Sequence, residues 1–170
     1  MRDELAQLAA DPMEALLSLQ SLAQAAWGEA DLRLLGRKVF GILRSAPATL
    51  RAEARKRGLI PVRLLILSAS TASHIGDALI GTAIRFRLLL ELTIAEYEEP
   101  EPWLDRNKGA LRDSPPDFVL VASDSRMLKL VSPLDDRDAA AQIVGTAVAR
   151  IARIAHVLAK YENLALRRCQ

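Results

Sequence analysis

VRLLILSASTASHIGD, residues 62–77, decides how the chain is read. Val62 to Leu67 is too uniformly apolar for a half-exposed strand, and Ser68 to Ser73 is too rich in small polar residues to extend it. The stretch predicts a buried parallel strand that presents Ser70, Thr71 and Ser73 at its carboxyl edge, with His74 leading into a helix. In open α/β sheets that edge is where ligands bind. An ordinary polar turn after a buried strand accounts for the same residues.

Downstream, Leu79, Ile80, Ala83, Ile84 and Leu88 recur at helical spacing, so a helix from Ile75 to about Leu88 packs on a sheet face. Leu89 to Glu96 reads as a second strand, with Tyr97-Glu98-Glu99 at its carboxyl end as either a site or a solvated acidic loop. Pro100, Pro102, Gly109, Pro115 and Pro116 leave room only for a short helix or an irregular excursion over Trp103–Leu111. Asp117 to Ala122 is a third buried strand, delivering Ser123, Asp124 and Ser125 at its carboxyl end. Ser132-Pro133-Leu134-Asp135 caps the longest helix, about Asp135 to Lys160, with Ile143, Ala147, Ile151, Ile154 and Leu158 as its apolar stripe. Leu164-Ala165-Leu166 reads as a fourth strand, closed by Arg167 and Arg168.

Upstream, Asp11-Pro12-Met13-Glu14 starts a helix running to about Ala26, with Asp11 as cap and Pro12 in the first turn. A second amphipathic helix spans about Ala30 to Arg44. Pro47 opens a third that ends at Gly58, its last turn carrying Arg55, Lys56 and Arg57. Cations there complement the negative end of the helix dipole or form a docking patch for an acidic partner. The alternation of strands and helices implies a three-layer α/β/α sandwich with a parallel sheet of about four strands in the order 2-1-3-4. A helical segment over residues 1–60 precedes the α/β domain over 61–170. The reversal in strand order lies between the first and third strands, which places Ser70, Thr71, Ser123 and Asp124 around one crevice.

Composition narrows the function. With 170 residues, 51% hydrophobic and 26% charged, the chain suits one globular domain with an appendage. No uncharged run reaches the eighteen or so apolar residues of a membrane helix, and the acid-bearing opening MRDELAQLAADPMEALL has no apolar signal core. A cytoplasmic location and no membrane partner are expected. Cys169 alone forms neither an internal disulfide nor a cysteine metal cluster, and His74 and His156 are too few for a zinc site. His156, inside the longest helix without an acidic neighbour, reads as a packed or solvent-edge histidine. A formal charge of +2 is not a nucleic-acid signature. A strand closing the chain with nothing after it implies a piece of something longer.

VRLLILSASTASHIGDAL, ELTIAEYEE and PDFVLVASDS together resemble the amino-terminal half of FkbH-like proteins, and the helical lead-in is similar too. The carboxyl half of that family is a haloacid-dehalogenase-type domain. It captures a glyceryl unit from a phosphorylated three-carbon sugar acid and loads it onto the phosphopantetheine thiol of an acyl carrier protein, for polyketide assembly. No DxDxT motif occurs in these residues, so the resemblance implies magnesium only for that other domain and no cofactor for this chain. Two departures stand out. Leu88-Leu89-Leu90 replaces a turn glycine, and Asn107-Lys108-Gly109 lies where an acid-x-x-serine is expected.

The amino-terminal half of the family is itself similar to SGNH-type esterases, with a flavodoxin-like sheet. By position Ser70 matches their nucleophile, and Ser123-Asp124-Ser125 matches their oxyanion-hole turn. The preceding glycine-aspartate is Ser68-Ala69 here, and there is no carboxylate-x-x-histidine pair. Serine acyl transfer needs a base. The reading that follows is a noncatalytic domain that helps position an acyl carrier protein for its enzyme domain, docked through Arg55, Lys56, Arg57, Arg85, Arg87, Arg167 and Arg168. The alternatives are a serine esterase or acyltransferase using Ser70, and a structural domain forming homo-oligomers through its amino-terminal helices.

Overall fold

The computed structural model describes residues 10–25, 28–45, 49–130 and 136–166. In chain order these form α1 (Pro12–Leu22), α2 (Glu29–Ser45), α3 (Leu50–Lys56), β1 (Ile60–Ser68), α4 (Ser73–Arg85) and β2 (Leu88–Ala95). Then come α5 (Pro100–Arg106), α6 (Lys108–Asp113), β3 (Phe118–Ala122) and α7 (Arg137–Leu166). The protein is α/β, with a small parallel sheet in the order β2-β1-β3. Two compact units share it. One comprises Met1–Leu64 with Ser73–Thr93, the other Leu65–Ala72 with Ile94–Gln170, so β1 and β2 each pass from one to the other.

The first unit is held by helices. Asp11 caps α1, its Oδ1 accepting from the backbone N–H groups of Met13 and Glu14 at 2.9 Å. α3 ends in a Schellman turn: Leu59 N–H donates to the Ala54 carbonyl at 2.9 Å, and Gly58 takes the left-handed φ of 79° that the turn requires. Met13, Leu16 and Leu19 of α1 join Leu35 and Val39 of α2, Ile80 and Ile84 of α4, and Leu89 of β2 in one buried cluster.

The tightest contact in this unit is between α2 and α4. A Cβ on Gly36 would stand 1.8 Å from the Asp77 carbonyl oxygen, and one on Gly81 would stand 2.0 Å from that of Leu32. The helices therefore cross backbone to backbone, which only glycine allows. Arg37 and Asp77 flank the crossing at 3.6 Å.

The second unit is organised by the carboxyl ends of the strands. Leu65 and Leu67 of β1, Ala95 of β2, Leu104 of α5 and Leu111 of α6 are buried together. Val119 and Val121 of β3 and Val157 and Leu158 of α7 pack against them. Asp136 caps α7, accepting from the N–H groups of Asp138 and Ala139 at 2.9 and 3.0 Å.

Several expectations need correction. Leu164-Ala165-Leu166 is no fourth strand but the end of α7, and the sheet among the described residues has three strands. Neither glycine nor proline follows Gly145, and leucine and alanine are strong helix formers, so nothing stops the helix at Lys160. β3 is not buried on both faces: Phe118 and Leu120 are exposed, because β3 is an edge strand covered on the face of Val119 and Val121. α1 stops at Leu22, short of Ala26. The Trp103–Leu111 excursion is the helix pair α5 and α6. Pro47 and the Ser132–Asp135 entry lie outside the described residues.

By length and composition α7 is apolar enough over Arg137–Lys160 to cross a membrane, although Arg150 and Arg153 interrupt its apolar run. It carries two arginines that pair with acids of the same unit. Arg150 Nη2 lies 3.1 Å from Glu99 Oε2, and Arg153 Nε lies 3.2 Å from Glu101 Oε1.

Candidate functional site

β1 ends in Ser68, and the chain turns outward through Ala69, Ser70, Thr71 and Ala72. Ser68 is buried and its Oγ accepts the Ser70 N–H at 3.2 Å, so the strand's last hydroxyl shapes the turn beyond it. The Ser70 hydroxyl donates to Asp124 Oδ2. Asp124 follows β3 and has a second duty: its Oδ1 accepts the Met127 N–H at 2.8 Å, capping the turn that leads to Lys129. Its carboxyl is held below the ordinary 3.8, first by the Ser70 hydrogen bond and then by the Met127 N–H.

The end of β2 closes the other side. Glu96 Oε1 accepts the Ala72 N–H at 2.7 Å. Tyr97, with a left-handed φ of 57°, stands 68% exposed, and its hydroxyl shares a hydrogen bond with Thr71 Oγ1. A tyrosine holds that backbone region only when its surroundings impose it. Those surroundings are explicit: Glu98 pairs with Arg106, while Glu99 lies 2.8 Å from Lys129 and 3.1 Å from Arg150. The Lys129 hydrogen bond is the largest influence holding the Glu99 carboxyl below its ordinary value, and the charge of Arg150 adds to it. Arg150 is only 6% exposed, with Nε and Nη2 aligned to no hydrogen-bond acceptor. It acts as a buried counter-charge that holds the Glu99 end of the loop.

Of the residues picked from sequence, Ser70, Thr71 and Asp124 meet in this cluster. Ser123 and Ser125 flank Asp124 and are exposed. Ser73 and His74 open α4, in the other compact unit. The docking cations divide. Arg55, Lys56 and Arg87 are exposed, Arg57 lies 3.4 Å from Glu14, and Arg167 and Arg168 fall outside the described residues. Arg85 is occupied within the fold, its Nε donating to the Ala23 carbonyl at 2.7 Å and its guanidinium to that of Ala25, so it closes the end of α1.

The sequence pattern places Glu96 in the second strand and leaves Tyr97-Glu98-Glu99 open as a site or a solvated acidic loop. The available signal was position. Glu96 is the first acid after the apolar run TIA, on the same carboxyl edge as Ser70.

Chemically the cluster offers hydroxyls and carboxylates. Among the described residues no set of histidine, cysteine and acids could hold a metal ion. The Ser70 hydroxyl has a carboxylate as its partner, and one whose lowered proton affinity makes it a poor general base. His156 is exposed on α7. Comparison of the chain with family models, curated proteins and solved structures gives no match.

Proposed function

We propose that this chain is a noncatalytic recognition domain of FkbH-like type, on an SGNH-related α/β plan. In this reading it helps position an acyl carrier protein in the cytoplasm for glyceryl loading by a partner enzyme domain. The observation that carries the reading is the Ser70–Asp124 hydrogen bond. It gives the one hydroxyl in the nucleophile's place to a weakly basic carboxylate, in a cluster of Thr71, Tyr97 and Glu96 that can bind hydroxyls and amides. Carboxylates at that edge disfavour a phosphate and leave the amides and thiol of a pantetheine arm, or the hydroxyls of a glyceryl unit, as the chemistry that suits it. Exposed Arg55, Lys56 and Arg87 supply charge complementary to an acidic carrier.

Titration with a carrier protein bearing its pantetheine arm, against the same carrier without it, tests the reading. Tighter binding of the armed carrier, reduced by Ser70→Ala, is expected. Equal affinity for the carrier and an unrelated acidic protein would remove the reading.

A further inference from the structure

Arg150 is the one buried charged residue among the described residues. Long cationic side chains are rarely buried unless they are fully paired, and here the pairing is incomplete. Nε and Nη2, the two nitrogens on the side edge of the guanidinium, are buried and have no aligned acceptor among the described residues. That edge presents two parallel N–H groups, a fork that matches both oxygens of one carboxylate. Glu99 does not fill it. Its Oε1 lies 2.8 Å from Lys129 Nζ and its Oε2 lies 3.1 Å from Arg150 Nη2, so its oxygens are divided between two cations and the second contact lies off the donor axis. Glu101 stands 4.0 Å from the same nitrogen and is engaged by Arg153 at 3.2 Å. A buried, charged donor without an acceptor is costly to keep, and a site that receives an acceptor from outside accounts for it.

We propose that the Arg150 fork binds the carboxylate of a small acid, with Lys129 as the second cation and Glu99 as an internal stand-in that leaves when the ligand arrives. Glu99 is free to leave: its side chain is 47% exposed, and rotation about its own side-chain bonds takes it into water without moving the backbone. Lys129 is held where it is by the chain. It has a left-handed φ of 54°, and its N–H donates to the Arg126 carbonyl at 3.1 Å in the turn that Asp124 caps. A lysine keeps that backbone region only where its surroundings impose it. The class of ligand follows from the place to be taken, which is that of one carboxylate on a slender stem. Glu101 beside it opposes a second negative charge, so a monocarboxylate suits the fork better than a doubly charged phosphate. Donors buried beneath a single side chain are reached by a small molecule rather than by a flat protein surface. The fork shares no side chain with the Ser70 cluster, and its ligand is independent of the carrier reading.

Titration of the full chain with sodium acetate, against sodium chloride at the same ionic strength and followed on the arginine Nε–H signals by NMR, tests the proposal. Glu99→Ala removes an exposed side chain and the competing carboxylate together. It is expected to keep the fold and to bind acetate at least tenfold more tightly than the wild type, with the Arg150 Nε–H signal moving on binding. Arg150→Lys in that background keeps the charge but removes the fork, and should lose the gain. Lys129→Ala in the same background, at a side chain 65% exposed, leaves the packing around Arg150 intact and should weaken acetate binding several-fold. Inorganic phosphate should bind more weakly than acetate. Acetate binding to Glu99→Ala that is no tighter than to the wild type, or that Lys129→Ala leaves unchanged, would overturn the proposal. So would tighter binding of phosphate than of acetate, which would remove the carboxylate as the ligand.

Discussion

The Ser70 hydroxyl donates to Asp124, and Asp124 in turn caps the turn after β3 through the Met127 N–H. One carboxylate thus ties the loops that follow β1 and β3 while occupying the atom that a serine hydrolase keeps for an imidazole. A fluorophosphonate probe is therefore expected to label the wild type no faster than Ser70→Ala. Labelling of wild type that Ser70→Ala abolishes would restore the esterase reading.

Asp124 should also make the fold sensitive to acid. Its folded-state proton affinity lies below the ordinary 3.8, so the unfolded chain binds more protons in this range. The resulting stabilisation is complete above that value and is lost as pH falls through the lower, folded value. Urea unfolding of wild type and Asp124→Asn should differ at neutral pH, and the difference should shrink at about pH 3. A difference independent of pH would show that the Asp124 charge contributes nothing.

The crossing of α2 and α4 is expected to tolerate no side chain. Gly36→Ala or Gly81→Ala presses a methyl against a backbone carbonyl that has no room to yield. Either substitution should cost about 3 kcal/mol in denaturant unfolding. Gly145→Ala, where a Cβ meets open space, serves as the control that should not destabilise.

Arg87 is a position where a substitution should help. It holds φ 62° after α4 while its carbonyl accepts the Ile60 N–H at 2.8 Å. Left-handed backbone costs a non-glycine residue about 1–2 kcal/mol, part of which glycine's greater unfolded freedom offsets. Arg87→Gly should therefore stabilise by about 0.5–1 kcal/mol, read as a higher melting temperature. A lower melting temperature would mean that the guanidinium contributes more to the fold than the backbone costs.

Much of this architecture was legible because it is local. The apolar run Val62–Leu67, the Asp11 cap and Gly58 at the end of α3 each depend on a few adjacent residues, and each lies where the pattern puts it. The left-handed turn before β2 is held by Arg87 rather than by a glycine, which no local pattern signals. What was not legible depends on partners distant in sequence. Gly36 and Gly81 look like weak helix residues until the helices cross. Glu96 reads as a strand end and Tyr97 as part of a site or a solvated loop, and their hydrogen bonds to Ala72 and Thr71 appear only once β1 lies beside β2. Leu164–Leu166 misled because three apolar residues carry no period. The site was half legible: Ser70 and Asp124 follow from the strand edges, whereas the loop that fixes Tyr97 needs Arg150 and Lys129 from elsewhere in the chain.

Recognition without turnover is tested most directly by calorimetric titration of the chain with an acyl carrier protein, armed and unarmed with pantetheine, at low and high salt. Armed carrier should bind more tightly, Ser70→Ala and Asp124→Ala should erase that preference, and charge reversal at Arg55 and Lys56 should weaken both forms and flatten the salt dependence. Indifference to the arm, with Ser70→Ala binding as wild type does, would contradict it.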